Sequence, residues 1–417
     1  MRILVVGKGG REHALARALA ESPGNHELFC FPGSDAIFDI AKPVTADGLE
    51  SLIDWMIDHA IDLCVAGEES YLVKGAGLAN LCAKHGIPCW GPPKESAQLE
   101  ASKEFAKDFL VRHGIPTAKA TATATLEEAV AAIGGKFPTV LKFDGLAAGK
   151  GVAVCADHAS AMAFLEEVFT HRRFGDGRVL VEDCLTGPEV SIFAAIVDEN
   201  YLIFTPARDY KRALDGDHGP NTGGMGAVAS RHLVSPDQLA RIENEIIKPT
   251  VAGLHMDGLP YRGFLYFGLM LTPSGPQVIE YNCRFGDPEC QAVMPLVQGD
   301  LAGFCLAGAM GELKADLLSF DDGWSVCVVL ASAGYPESSR SGDVIHGMEN
   351  TREFRIYHAG TRRNADGDWT TNGGRVLAVV AGGATRGEAV QNAHRAADTI
   401  SFDGMQRRRD IGILNFD

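Results

Sequence analysis

The sequence predicts a multidomain α/β and α+β protein: an N-terminal parallel α/β domain, a mixed central region and a strand-rich C-terminal domain. Three observations carry this. The first hundred residues alternate short apolar runs with helix-spaced apolar positions, the βα rhythm of a parallel sheet. Strand candidates then dominate two later stretches. A length of 417 residues also exceeds one domain, at roughly 100–200 residues each.

Ile3–Val6 is an apolar run that stops at a glycine cluster, and Arg11–Glu21 carries Leu15, Ala18 and Leu19 at helical spacing. Glu27–Phe31 is a second strand, closed by Pro32-Gly33. Leu49, Leu52, Ile53 and Ile57 mark a helix face. A strand at Asp62–Ala66, a helix over Leu72–Lys84 and a strand at Ile87–Trp90 complete the set. Ser102–His113 is helical and stops at Gly114, and Thr117–Thr125 reads as a connector. Thr125 and Glu128 form a capping box for a helix over Leu126–Ile133, which Gly134 ends. Strands follow at Thr139–Phe143, Val152–Cys155, Val179–Asp183 and Val190–Val197, with a helix over Ala159–Phe169. Arg208–Gly226 is rich in Gly, Asp, Asn and Pro and reads as one long loop, which is uncommon and usually functional or disordered. A helix (Ser235–Leu254), strands at Gly263–Leu271, Gln277–Tyr281, Ser325–Ala331 and Arg375–Ala381, and a helix over Arg386–Ile400 complete the chain.

Composition excludes several classes. With 46% apolar and 22% charged residues the chain is neither disordered nor fibrous. A formal charge of −16 disfavours a nucleic-acid partner, which wants a basic stripe. Ten cysteines without a CxxC pair indicate neither a disulfide framework nor a zinc ribbon. MRILVVGKGG is no secretory leader, and no apolar run approaches the roughly 20 residues of a membrane span. A soluble, cytoplasmic protein is expected.

Four segments carry chemistry. Gly7-Lys8-Gly9-Gly10, between a strand and a helix, offers backbone N–H groups and a positive dipole end to an anion; a plain βα turn reads the same way. It lacks the last glycine of a dinucleotide fingerprint. Lys142–Gly151 sets two lysines around three glycines between strands. It fails as a Walker A motif and reads as a flap over nucleotide phosphates, or as a simple glycine turn. Asp215–Gly226 suits an ammonium or a carboxylate, with a linker as the plain alternative and no EF-hand spacing. Glu280 and Asn282, two apart on a strand, put two oxygen donors on one face for Mg²⁺, and Arg284 stands ready to neutralise a transferred phosphoryl group. For any one of these residues, a structural salt bridge is the alternative.

With these segments in view, the chain resembles the phosphoribosylamine–glycine ligase family, the glycinamide ribonucleotide synthetases of the ATP-grasp superfamily. The resemblance runs end to end through GGREHAL (Gly9–Leu15), SKEFAKDFL (Ser102–Leu110), DGLAAGKGV (Asp144–Val152), GPNTGGMGA (Gly219–Ala227), NCRFGDPE (Asn282–Glu289), HAGT (His358–Thr361) and TNGGRVL (Thr371–Leu377). It implies three parts: a substrate-binding domain over 1–101, an ATP-grasp core over 102–320 with a lid subdomain near 122–190, and a C-terminal domain over 321–417. The implied reaction joins glycine to 5-phosphoribosylamine through glycyl phosphate, with ATP and Mg²⁺ or Mn²⁺, in a monomer or weak homo-oligomer.

The resemblance also implies site residues. Lys103 and Lys142 match the phosphate-gripping lysines, with Gly145, Gly149, Lys150 and Gly151 in the flap. Glu182, Cys184 and Leu185 match the adenine-binding connection and Glu189 the ribose contact. Glu280 and Asn282 match the metal ligands. Asp215, Asn221, Thr222, Gly223, Gly224, Met225, Gly226 and Arg284 match the region that receives glycine and the reacting groups, with Asp215 and Arg284 as the catalytic candidates. Gly9, Gly10 and Glu69 fall on the phosphoribosylamine side. Departures gather on that side too: Gly67-Glu68-Glu69-Ser70-Tyr71-Leu72 lacks both prolines usual in the family, and Pro32–Ala36 is altered. An ATP-grasp ligase with a different amine acceptor is therefore the alternative reading.

Overall fold

The computed structural model describes residues 1–145, 151–349 and 353–413. The N-terminal sheet contains β1 (Arg2–Gly7), β2 (Glu27–Pro32), β3 (Lys42–Pro43), β4 (Leu63–Ala66) and β5 (Cys89–Trp90), all parallel in the order β3-β2-β1-β4-β5. Its helices are α1 (Gly10–Ala20), α2 (Leu49–Asp58), α3 (Ser70–Val73) and α4 (Leu78–Lys84). Leu4 and Val6 enter one hydrophobic core while Ile3 and Val5 enter another. A parallel strand covered on both faces needs such a continuous apolar run. The expected helix over Leu72–Lys84 is instead two short ones. Gly75 and Gly77, both at positive φ, break it.

Helices α5 (Gln98–Ala101) and α6 (Lys103–Arg112) lead into a four-stranded antiparallel sheet, β6-β9-β7-β8. It comprises β6 (Ala120–Thr123), β7 (Thr139–Phe143), β8 (Val152–Cys155) and β9 (Val179–Asp183), with α7 (Leu126–Ile133) and α8 (His158–Leu165) packed on it. Ala129, Ile133, Leu141, Phe143, Leu165 and Val179 close a small core of their own. The stretch read as a connector thus holds a strand, β6, whose Ala and Thr residues gave no apolar alternation. Thr125 does cap α7, accepting from Glu128 N–H, but the Glu128 side chain returns to Ala124 N–H and not to Thr125.

A third, nine-stranded sheet spans the rest. Its strands are β10 (Glu189–Val197), β11 (Asn200–Ile203), β12 (Ala207–Asp209), β15 (Gly226–Ala229), β16 (Arg262–Thr272), β17 (Gly275–Asn282), β20 (Trp324–Ala331), β21 (Arg355–His358) and β24 (Arg375–Gly383). The order is β17-β16-β10-β12-β15-β20-β24-β21, with β11 on β10. The C-terminal strands therefore continue the central sheet through β15 and β20. Three two-stranded ribbons complete the strands: β13 (Arg212–Leu214) with β14 (His218–Asn221), β18 (Val297–Gly299) with β19 (Leu318–Phe320), and β22 (Thr361–Arg363) with β23 (Trp369–Thr371). The β13–β14 hairpin corrects the single long loop read over Arg208–Gly226. It is mostly exposed, so its pairing left no hydrophobic pattern to read. Helices α9 (Pro236–Ile242), α10 (Lys248–Met256), α11 (Glu289–Val293), α12 (Leu301–Ala309) and α13 (Arg386–Asp398) cover the sheet. Among the described residues no helix is long and apolar enough to cross a membrane.

Candidate active site

The cleft is lined by the start of α6, the ends of β7 and β17, and the glycine segments that join the strands. Ser102 caps α6 by accepting from Phe105 N–H at 3.1 Å. Asp144, just past β7, adds a second anchor: its Oδ1 accepts from Lys103 N–H at 2.6 Å and Glu104 N–H at 3.2 Å. A carboxylate at a helix N-terminus satisfies orphan donors and meets the positive dipole end. The entry to the glycine hairpin is thereby fixed to α6. Lys103 Nζ donates to Gly145 O at 2.8 Å. Gly149 and Lys150 lie outside the described residues, and Gly151 resumes the chain before β8.

Lys142 Nζ, on β7, pairs with Glu182 Oε2 at 2.9 Å and donates to Ile279 O at 2.9 Å. The other Glu182 oxygen lies 3.1 Å from Lys107 Nζ. Glu182, on β9, is a buried carboxylate shared by two lysines. Its side chain is committed to the cations, and Cys184 and Leu185 follow it between β9 and β10. Burial pushes the Lys103 and Lys107 ammonium groups downward; Glu280 and Asp144 oppose this for Lys103, and Glu182 opposes it for Lys107. Glu189, opening β10, meets Lys211 Nζ at 2.7 Å, and that charge holds its carboxyl below the ordinary range.

On the facing strand, Glu280 and Asn282 occupy alternate positions of β17. Among the described residues the Glu280 carboxylate makes no hydrogen bond or close ion pair, so its oxygens stay open toward Lys103. Turned to face its acceptors, the Asn282 amide donates to Glu100 Oε1 at 3.1 Å. Arg284 follows at once. Its Nε lies 3.0 Å from Glu69 Oε2 and its Nη2 lies 2.6 Å from Glu100 Oε1. Burial pushes the Glu100 carboxyl up to about 7 despite Arg284, with Glu69 adding to the rise. Glu69 goes the other way: burial opposes its charge, but Arg284 and Arg11 outweigh it and hold the carboxyl far below its ordinary range.

The glycine-rich turn after β1 differs from its sequence reading in one respect. Gly9 N–H donates to Glu12 Oε2 at 2.6 Å, so the protein supplies its own anion there. Arg11 Nε pairs with Glu12 Oε1 at 2.6 Å, and Arg11 Nη2 lies 3.4 Å from Glu69. A Cβ on Gly7 would sit 2.4 Å from Glu12 Cγ, and one on Gly10 would sit 2.7 Å from Gln291 Nε2, so both positions need the bare backbone. Beside them His13 Nδ1 accepts from His358 N–H at 3.0 Å.

The segment from Asn221 to Gly226 crosses the cleft. Thr222 N–H and Oγ1 both donate to Lys211 O, at 2.7 and 2.9 Å, and Gly224 N–H donates to Thr222 Oγ1 at 2.9 Å. Arg375 Nη1 donates to Gly223 O and to Asp287 O, each at 2.6 Å. A Cβ on Gly224, at φ +111°, would meet Pro288 Cδ at 2.5 Å. Met225 is buried beneath the segment, and its N–H donates to Tyr210 O at 2.7 Å. Asp215 lies apart from this cluster. It is exposed past β13, and its Oδ1 accepts from Arg409 N–H at 2.7 Å.

Glu100, Lys107, Lys211 and Arg375 belong to this arrangement without having been singled out as site residues. Lys107 left a trace: with Lys103 it forms a like-charge i,i+4 pair, unfavourable on a helix unless a distant carboxylate answers it.

Paired lysines at the start of α6 and on β7, oxygen donors on β17 and a half-buried arginine after them define an ATP-grasp ligase. Family models narrow the class. Those of phosphoribosylglycinamide synthetase match residues 1–100 (N domain), 101–290 (ATP-grasp domain) and 325–414 (C domain). The chain belongs to the phosphoribosylamine–glycine ligase family. It is 44% identical over 426 residues to the phosphoribosylamine–glycine ligase of Allochromatium vinosum, covering 99% of this chain and 98% of that one. The Chlorobaculum tepidum ligase is 42% identical over 429 residues, covering 99% of each. The solved phosphoribosylamine–glycine ligase of Thermotoga maritima superposes with a TM-score of 0.86 at 34% identity, over 99% of this chain and 100% of that one.

Proposed function

We propose that this cleft ligates glycine to 5-phosphoribosylamine with ATP, the reaction of its family, and that its residues divide the work as follows. Lys103 and Lys142 hold ATP phosphates. The backbone around Cys184 and Leu185 takes the base, and Glu189 takes the ribose. A glycine carboxylate oxygen attacks the γ-phosphorus, ADP leaves, and glycyl phosphate forms. The amine of phosphoribosylamine then attacks the acyl carbon, phosphate leaves, and the nitrogen loses a proton. No protein nucleophile is needed; positioning and charge neutralisation suffice.

Glu280 and Asn282 fit Mg²⁺: both offer oxygen atoms from one strand face, and the Glu280 carboxylate is uncommitted. Two protein oxygens plus phosphates are a usual Mg²⁺ set. When bound, the ion would neutralise phosphate charge and orient the phosphoryl group. Arg284, held by Glu69 and Glu100, would neutralise the developing charge. Glu69, Arg11 and the turn at Gly9 and Gly10 shape the amine side, and the segment from Asn221 to Gly226 receives glycine. Asp215 contributes by tying the hairpin to the chain's end.

The observation that carries this reading is the convergence of Lys103, Lys142, Glu280, Asn282 and Arg284 on one cleft. The test is ADP release with Mg²⁺, ATP and glycine, with and without phosphoribosylamine made in place from ribose 5-phosphate and ammonia. Release should need the full mixture, with glycinamide ribonucleotide formed in equal amount. Glycine-dependent ADP release with another amine, and none with phosphoribosylamine, would overturn the assignment of the acceptor.

A further inference from the structure

We propose that Cys64, Cys82 and Cys89 form a binding site for a thiophilic divalent metal ion, with Zn²⁺ as the ligand, in the N-terminal domain and outside the residues of the ATP cleft. The three sulfurs lie within 4.8 Å of one another, and no other trio of His, Cys, Asp or Glu ligand atoms is gathered so closely among the described residues. They come from three elements. Cys64 on β4 and Cys89 on β5 are register partners in adjacent parallel strands, so their side chains leave the sheet on one face. Cys82 reaches the same place from α4. Cys64 and Cys82 are fully buried, and Cys89 is half-buried at the edge.

The geometry is close to that of a bound ion. With Zn–S near 2.3 Å, two sulfurs of a tetrahedron stand about 3.8 Å apart. Drawing three sulfurs in from at most 4.8 Å takes side-chain movement on the order of an ångström. The fourth position is left to water entering past the half-buried Cys89. Cys64 and Cys82 both lie in the apolar core beside the sheet, where water does not compete for the sulfurs. Binding Zn²⁺ to the three thiols forms three Zn–S bonds, breaks three S–H bonds and releases three protons to solvent. Sequence spacing conceals the site, since residues 64, 82 and 89 contain no CxxC pair.

A sulfur-lined core would need only small apolar side chains, and buried cysteines serve that purpose well. Metal titration separates the two. Reduced, chelator-stripped full-length protein is titrated with Zn²⁺ against a chromogenic chelator, and with Cd²⁺ while following the ultraviolet sulfur-to-metal charge-transfer band. One equivalent should bind with that band. In Cys89→Ser both should weaken by at least the order of 100-fold seen when even outer-shell partners are lost. Cys305→Ser, in the core on the opposite face of the sheet, should bind like the parent. Absence of the band, or identical titrations for the two variants, would overturn the site. Should Cys89→Ser fold poorly, alkylation of the unaltered protein decides: Zn²⁺ must slow modification of the half-buried Cys89 and leave that of the half-buried Cys184 unchanged, and an unchanged rate at Cys89 defeats the proposal.

Discussion

Glu100 joins two functional groups that neighbour each other in sequence: its Oε1 lies 2.6 Å from Arg284 Nη2 and its Oε2 accepts Cys283 N–H at 2.7 Å. One buried carboxylate thus fixes both the guanidinium and the backbone that carries it, and the Asn282 amide rests on the same oxygen. Glu100→Ala frees Arg284 from this hold. Because misplacement by about an ångström can cost on the order of 100-fold, kcat should fall by that order while KM for ATP changes little. Glu100→Gln keeps an acceptor for Cys283 N–H and should recover part of the loss. Since the Glu100 carboxyl titrates at about 7 and its charged form grips Arg284, kcat should climb as pH rises through 7. That limb should be missing in Glu100→Gln, and its persistence there would assign it to another group.

Glu182 serves Lys107 and Lys142 together, at 3.1 and 2.9 Å. Glu182→Ala leaves two buried cations without their shared partner, and breaking a buried pair this way costs about 3–5 kcal/mol. Lys107→Met should cost less, because Glu182 keeps Lys142. Denaturant unfolding of the two variants checks the order. ATP titration should show weaker binding in Glu182→Ala, where Lys142 loses its fixed position. Equal stability of the two variants would mean that Glu182 is not the shared anchor.

How far the sequence led depended on what each residue had to bury. Strands β1, β10, β16 and β24 bury apolar runs, and their patterns read directly. The hairpin of β13 and β14 buries little, and β6 offers only Ala and Thr, so neither showed a period. Within the cleft, glycine clusters and paired lysines were legible because phosphate binding demands those residue types in sequence. Glu100 was not, since its role is set by contacts with residues 283 and 284, almost two hundred positions away. Nor could sequence show that Gly9 N–H is taken by Glu12, a contact made by the fold of the turn itself.

Arg375 holds the glycine segment to the opposite wall by donating to Gly223 O and Asp287 O. Arg375→Ala removes both bonds and leaves the segment with its contacts through Thr222 and with Gly223 N–H donating to Tyr335 Oη at 2.9 Å. Hydrogen exchange of residues 221–226 should quicken, and KM for glycine should rise by on the order of 10-fold, as lost charged hydrogen bonds of about 1.5–3 kcal/mol allow. Unchanged exchange in this segment would show that Thr222, Met225 and the Tyr335 hydroxyl hold it without Arg375.

His13 and His358 give the fold an acid-side weakness. Burial pushes His13 down to about 3, with the nearby His358 adding to the shift, and pushes His358 down to about 4. Folded, both imidazoles are neutral; unfolded, they charge near their ordinary value of 6.5. Below that value the unfolded chain binds more protons, so stability held above pH 6.5 is lost as pH falls toward 4 and then 3. Each imidazole contributes a slope approaching about 1.4 kcal/mol per pH unit. His13→Asn retains an acceptor for His358 N–H and removes one titrating group. Its unfolding free energy between pH 6 and 4.5 should therefore fall less steeply than that of the parent, by close to that slope. Parallel curves for the two proteins would show that His13 is already charged in the folded chain.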